Sequence, residues 1–201
     1  MLGLSVSGGG INTYSFIGGV IELDSWLSRA YGRGLHSFLS CAAGCSMGSV
    51  LAALVLSGIP PPAVHRALRE RTQHIIHAGL ATIGLETLTA AQGGLIPFET
   101  MRAGVADMFD HVLGRSDYTL EEFRILCGGR YLYVTVTDLQ QRKSLVISAK
   151  TYPRMPLIDV LSASCCVPGV FTPFLHHPTR GVWVDGCLLD NSPMPDVGVP
   201  W

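Results

Sequence analysis

A serine stands between two glycines at Gly44-Cys45-Ser46-Met47-Gly48. A serine hydroxyl is a weak nucleophile until a neighbouring base takes its proton. A sharp turn from strand to helix suits such a residue. It pushes the side chain outward, and small flanking residues let neighbouring backbone approach. The surroundings fit: Leu35 to Cys41 read as a short strand, with Leu35, Phe38 and Leu39 as its apolar residues. Met47 to Leu56, almost wholly apolar and free of proline, reads as a buried helix that ends near Gly58 and Pro60. Ser46 then lies at a helix N-terminus, where free N–H groups and the dipole favour developing negative charge. The competing reading is a Gly-rich turn with an incidental serine.

The candidate base lies near the other end of the chain. Gly181 to Val184 reads as a strand, followed by Asp185-Gly186-Cys187. Sites in open sheets gather where strands end, and both Ser46 and Asp185 occupy such ends. A carboxylate can accept the serine proton directly; an aspartate before glycine can also simply close an Asx-turn. A histidine triad is the alternative, with Asp138 or Asp159 and His176 or His177 in the order serine, acid, histidine. His176-His177-Pro178 carries no local signature, so the Ser46–Asp185 dyad is preferred.

A third feature is Ser7-Gly8-Gly9-Gly10 after the expected first strand, Leu2 to Val6. Successive glycines allow a tight turn whose N–H groups face one space. A strand, a Gly-rich turn and a helix also begin nucleotide sites, but the third spaced glycine and the Gly-Lys-Ser/Thr of a phosphate loop are both missing. No cofactor is expected. His74 and His77 could share a helix face, yet no second ligand pair joins them, so no metal is expected either.

These residues must be positioned by the rest of a chain of 201 residues, of which 48% are hydrophobic and 14% charged. Mean hydropathy is +0.35. That describes a well-buried interior, or a protein that touches lipid. The net charge of -1 gives no field for nucleic acid. No apolar run is long enough to span a bilayer, and the N-terminus lacks the basic region of a signal peptide. An intracellular location, cytoplasmic or peripheral to a membrane, is expected. The six cysteines, Cys41, Cys45, Cys127, Cys165, Cys166 and Cys187, contain no Cys-x-x-Cys pair and read as buried free thiols.

Helices are expected over Tyr14 to Ala30, Ala63 to Gly79, Thr100 to Leu113 and Pro156 to Ala163, with a short one begun by Thr119-Leu120-Glu121-Glu122. The second of these is basic and reads as a solvated face or a surface for anionic lipid. Residues 81–95 suggest a cap over the site. Arg130 to Asp138 and Ser144 to Ala149 are further strands. No repeat or composition shift marks a second domain, so residues 1–201 read as one. Alternating strands and helices predict an α/β/α three-layer fold with a largely parallel central sheet.

The chain resembles the patatin-like phospholipases. Four blocks occur in the family's order: Ser7 to Gly10; Gly44 to Gly48; Ser162-Ala163-Ser164-Cys165-Cys166-Val167-Pro168-Gly169-Val170-Phe171-Thr172-Pro173; and Asp185-Gly186 followed by Asn191-x-Pro193. The resemblance runs from about residue 4 to 195. It implies Ser46 as nucleophile and Asp185 as base, without histidine or metal. It implies an oxyanion hole from the backbone N–H groups of Gly8, Gly9 and Gly10. It also implies glycerolipid or phospholipid substrates and transient contact with a membrane surface. Two positions depart from the family. Asn12 and Thr13 stand where a basic residue and a glycine are usual, and Cys187 follows Asp185-Gly186 where glycine or alanine is common. The reading is therefore a lipid acyl hydrolase. A lipid-binding module without turnover is the alternative, as is an acyltransferase using the same acyl-enzyme. Leu95, Ile96, Phe98, Val170, Phe171 and Phe174 are candidate walls of an acyl pocket or ordinary core residues.

Overall fold

Tyr131–Asp138, a run of tyrosine, valine and threonine, forms the strand on which the main sheet depends. The computed structural model describes residues 2–81 and 93–194. Their strands are β1 (Leu2–Val6), β2 (Leu39–Cys45), β3 (Gly94–Ile96), β4 (Tyr131–Asp138), β5 (Lys143–Ile147), β6 (Gly169–Phe171), β7 (Phe174–His176) and β8 (Gly181–Asp185). The helices are α1 (Thr13–Tyr31), α2 (Met47–Leu56), α3 (Pro61–Ala81), α4 (Phe98–Leu113), α5 (Leu120–Leu126) and α6 (Leu157–Ser164).

The main sheet has the order β1-β2-β4-β8-β7, with β5 also on β4; β3 and β6 form a separate parallel pair. The α/β class holds, and the sheet is mixed. β1, β2 and β4 run parallel, whereas β5 and β8 oppose β4 and β7 opposes β8.

The register of β4 explains how distant segments meet. Along one edge, Tyr131–Thr135 pair with Cys41–Cys45 of β2 and Val136–Asp138 pair with Asp185–Trp183 of β8. The other edge is taken by β5 over Val134–Asp138. β2 and β8 therefore approach end to end along a single edge. Their C-termini arrive at adjacent rungs, Cys45 opposite Thr135 and Asp185 opposite Val136.

Helix α2 lies in the interior, and all its residues are buried. A helix apolar on every side needs partners on every side. It packs on β2, β1 and β4, and against α1, α3 and α6. α6 packs on β4 and β8, and α4 packs on α3 and α6. The sheet's opposite face carries a smaller cluster of Cys41, Ala43 and Tyr133.

Two expectations are corrected here. The strand expected over Leu35 to Cys41 begins at Leu39 and runs on to Cys45; Leu35–Phe38 is a 3-10 turn. Within the extension, α2 lies close on Gly44. A Cβ on Gly44 would stand 2.6 Å from Ser49 N and 2.7 Å from Gly48 O. Second, Cys187 is exposed while the other five cysteines are buried, since it sits in a surface turn after β8. Within the basic helix α3, Arg71 pairs at 3.0 Å with Asp107 of α4. The Thr119 start is a full capping box, with Glu122 N donating to Thr119 Oγ1 and Thr119 N donating to Glu122 Oε2. The cap expected over 81–95 lies outside the described residues except at its two ends.

Candidate active site

Ser46 is the N-cap of α2, with φ 53° and ψ −140°. That backbone conformation is costly for any residue with a Cβ. It persists because both flanks are pinned, by β2 in the sheet and by α2 in the core. A Cβ on Gly48 would meet Ser7 O and stand 2.6 Å from Val6 O. Gly44 and Gly48 are thus required by close approach of backbone, and Cys45 and Met47 are buried beside them.

The adjacent rungs bring the candidate base to the candidate nucleophile. Ser46 Oγ donates to Asp185 Oδ2 at 2.7 Å, across 139 positions of sequence. Both residues are buried. The other carboxylate oxygen, Oδ1, accepts from Cys187 N at 2.9 Å. That amide belongs to the 3-10 turn Gly186–Leu188, so the turn fixes the carboxylate's rotation. Gly186 is buried, and its carbonyl accepts from Leu189 N and Asp190 N.

Two residues without a role assigned from sequence complete the frame. Ser164, at the end of α6, accepts from Ser46 N at 2.8 Å and donates to Thr135 O at 2.7 Å. It ties the elbow's amide to β4 just where β2 stops pairing. Asn191 Oδ1 accepts from Gly8 N at 2.8 Å, and Asn191 O lies 3.3 Å from the same nitrogen. This joins the Gly-rich turn to the segment after the base. A Cβ on Gly8 would stand 3.0 Å from Ser46 Cβ, so the turn lies directly against the nucleophile. The amide of Gly8 is already committed to Asn191, which corrects its place in the expected hole. Those of Gly9 and Gly10 donate to no other described residue. Asn12 is exposed and its amide donates to Gly9 O, while Thr13 Oγ1 donates to Gly10 O.

Of the histidine alternatives, His177 is exposed on the wall of a cavity that the dyad does not line, and His176 is engaged elsewhere. His176 stacks on Trp183 with ring centroids 4.3 Å apart, and its Nδ1 is 2.6 Å from Thr179 Oγ1. Burial lowers its pKa from the ordinary value, against the pull of Asp138. Asp138 accepts from the Gln140 and Gln141 amides, and Asp159 pairs with Arg102 at 2.7 Å. Phe98 and Phe174 come together, 5.0 Å between centroids, on the wall of a cavity of about 990 Å³. Leu95, Ile96, Val170, Phe171 and the dyad do not line it. Among the described residues, one group of candidate metal donors occurs, Cys45, Asp185 and Cys187, with ligand atoms within 4.8 Å of one another.

A model of the patatin-like phospholipase family matches residues 4–197. The chain belongs to this family. No curated protein sequence matches the chain. Among solved structures, VipD from Legionella pneumophila is similar in fold, with a TM-score of 0.61 at 16% identity over 98% of this chain and 47% of that one. The type III effector protein ExoU gives a TM-score of 0.48 at 16% identity, over 80% of this chain and 39% of that one. The chain thus spans less than half the length of these structures. Among the described residues no helix is long and apolar enough to cross a membrane.

Proposed function

We propose that the chain is one patatin-like domain that cleaves carboxylic esters of glycerolipids, phospholipids among them, through an acyl-serine intermediate. Asp185 Oδ2 takes the proton from Ser46 Oγ as the oxygen attacks the ester carbonyl. The tetrahedral oxyanion is held by the amides of Gly9 and Gly10; fixed donors in a water-poor site stabilise such charge strongly. Collapse expels the alcohol, which takes the proton from Asp185. Water, deprotonated by the same carboxylate, then attacks the acyl-Ser46 ester; the C–Oγ bond breaks, Ser46 Oγ takes the proton back from Asp185, and the fatty acid is released. Cys187 N keeps the carboxylate oriented through both steps.

The observation that carries this reading is the 2.7 Å hydrogen bond between Ser46 Oγ and Asp185 Oδ2. It is tested by following fatty acid release from phospholipid vesicles by wild type, Ser46→Ala and Asp185→Asn. Release by wild type alone is expected; equal release by all three sinks the dyad. A serine-directed fluorophosphonate probe separates enzyme from binding module. Labelling at Ser46 is expected, and lipid binding without labelling would favour the module.

A further inference from the structure

Two thiols stand beside the dyad, and the hydrolysis described above uses neither. Cys45 precedes the nucleophile, and Cys187 lies two residues beyond the base. Their sulfurs are 3.2 Å apart. Cys45 is wholly buried and Cys187 is exposed. Cys187 Sγ is also 2.9 Å from Asn191 Oδ1 and lies against Gly8. One solvent-reachable sulfur therefore touches the elbow, the Gly-rich turn and the residue that tethers that turn.

We propose that Cys45 and Cys187 form an oxidation site: a hydroperoxide converts the two thiols to a disulfide, and this reversibly shuts down the dyad. The loss of turnover rests on the hydrolase reading; the formation of the disulfide does not. The roles of the two thiols follow from their places. The exposed Cys187 reacts first, since oxidation follows access and thiolate character. Its thiolate sulfur attacks the peroxide, the O–O bond breaks, and the departing oxygen takes a proton and leaves as alcohol or water. Cys187 is then a sulfenic acid. Cys45 gives up its proton as its sulfur attacks Cys187 Sγ; the S–O bond breaks and water departs. Two thiols and one hydroperoxide thus give one disulfide, one alcohol or water from the peroxide, and one further water.

In the reduced pair the Cys45 proton is firmly held. Its hydrogen bond with Cys187, then burial, push this thiol well above the ordinary range. Access assigns the parts: the exposed Cys187 meets the peroxide, and the buried Cys45, 3.2 Å away, resolves it. The remaining four cysteines are buried, and burial raises the pKa of each.

The disulfide must disturb the base. An S–S bond is about 2.05 Å long, so the sulfurs close by roughly 1 Å. Cys45 is fixed at the end of β2 in the core, so the exposed turn moves. That turn carries the Cys187 N–H bonded to Asp185 Oδ1, and Cys187 Sγ must also leave Asn191. Misplacing catalytic groups by about 1 Å costs on the order of a hundredfold in rate.

The test treats reduced protein with hydrogen peroxide and follows both peptide linkage and fatty acid release. A peptide joining Cys45 to Cys187 is expected, with a rate at least about tenfold lower that a thiol reductant restores. Cys45→Ser and Cys187→Ser are each compared with their own reduced rate, after circular dichroism has shown them folded. Neither should show a reversible fall tied to a disulfide. Cys45→Ser should stop at a Cys187 sulfenic acid that dimedone traps. A linkage confined to other cysteines, or a Cys45–Cys187 linkage with the rate unchanged, overturns the proposal. Reduced wild type that releases no fatty acid would count against the hydrolase reading alone, because the peptide map still decides the oxidation site.

Discussion

Ser46 heads a helix whose every residue is buried, whereas Asp185 leads into a turn whose Cys187, Leu188 and Leu189 face solvent. Ser46 is held by a helix inside the molecule, and the Asp185 carboxylate is oriented by a turn at its surface. On the serine side, β2, α2 and the Val6–Ser7 backbone press on residues that cannot grow. On the aspartate side, a single amide and a short 3-10 turn set the carboxylate. Both halves meet because β4 offers adjacent rungs to two strands arriving from opposite directions. The difference separates two kinds of damage. Changes near the elbow should cost folding and activity together, and changes at the exposed Leu188 and Leu189 of the turn should leave folding intact.

The sharpest test removes each reacting group. Ser46→Ala and Asp185→Asn should each lower the rate about 10⁴-fold, as loss of a triad member does, with folding preserved by circular dichroism. Ser46→Gly should be equally inactive, yet more stable to urea than Ser46→Ala by about 1 kcal/mol, because glycine relieves the φ of 53°. Equal stabilities would mean that the elbow stores no strain.

Next in size is the packing contrast. Gly48→Ala drives a methyl into the carbonyls of Val6 and Ser7. It should cost about 3 kcal/mol in a urea titration, the upper range for overpacking. Leu188→Ala, exposed in the turn, should stay within about 0.5 kcal/mol. A large loss at Leu188 would break the distinction between core-held and surface-held halves.

Ser164 joins the two. Ser164→Ala leaves the Ser46 amide and the Thr135 carbonyl without their partner. It should lower stability by about 1–3 kcal/mol and reduce kcat with KM unchanged, with Ser164→Thr restoring much of kcat. A KM effect alone would make Ser164 a substrate contact instead.

The smallest expected effect is on pH dependence. Burial lowers the pKa of His176 from its ordinary 6.5, so the unfolded chain takes up the proton first. Stability from this ring is present above pH 6.5 and declines as pH falls through the folded value. His36, lowered by burial and by Arg130, adds in the same direction. His176→Phe should therefore lose less stability than wild type on acidification from about pH 7 to about pH 5. Parallel losses would remove His176 from the account.

The elbow was legible because its chemistry leaves few choices: a strained residue flanked by glycines is recognisable in any sequence. The boundary of β2 was not, since Ala42, Ala43 and Gly44 carry no hydrophobic alternation, and the close approach of α2 that demands glycine at Gly44 is a tertiary contact. Ser164 lay inside a quoted motif, but its role depends on a contact across 118 positions that no local pattern encodes. The same holds for Cys45 and Cys187, ordinary thiols until the end-to-end meeting of β2 and β8 sets their sulfurs side by side. Asp138 and Asp159 were plausible acids by chain order alone, and only their bonds to the Gln140–Gln141 amides and to Arg102 remove them.

Complete enclosure of α2 has a kinetic consequence. With no side open to water, its amides can exchange with deuterium only when the surrounding layers come apart. The Ser49–Leu56 amides should therefore be among the last to exchange, while the turn after β8 exchanges early. The serine would ride on the slowest-opening part of the molecule, and its partner on one of the fastest.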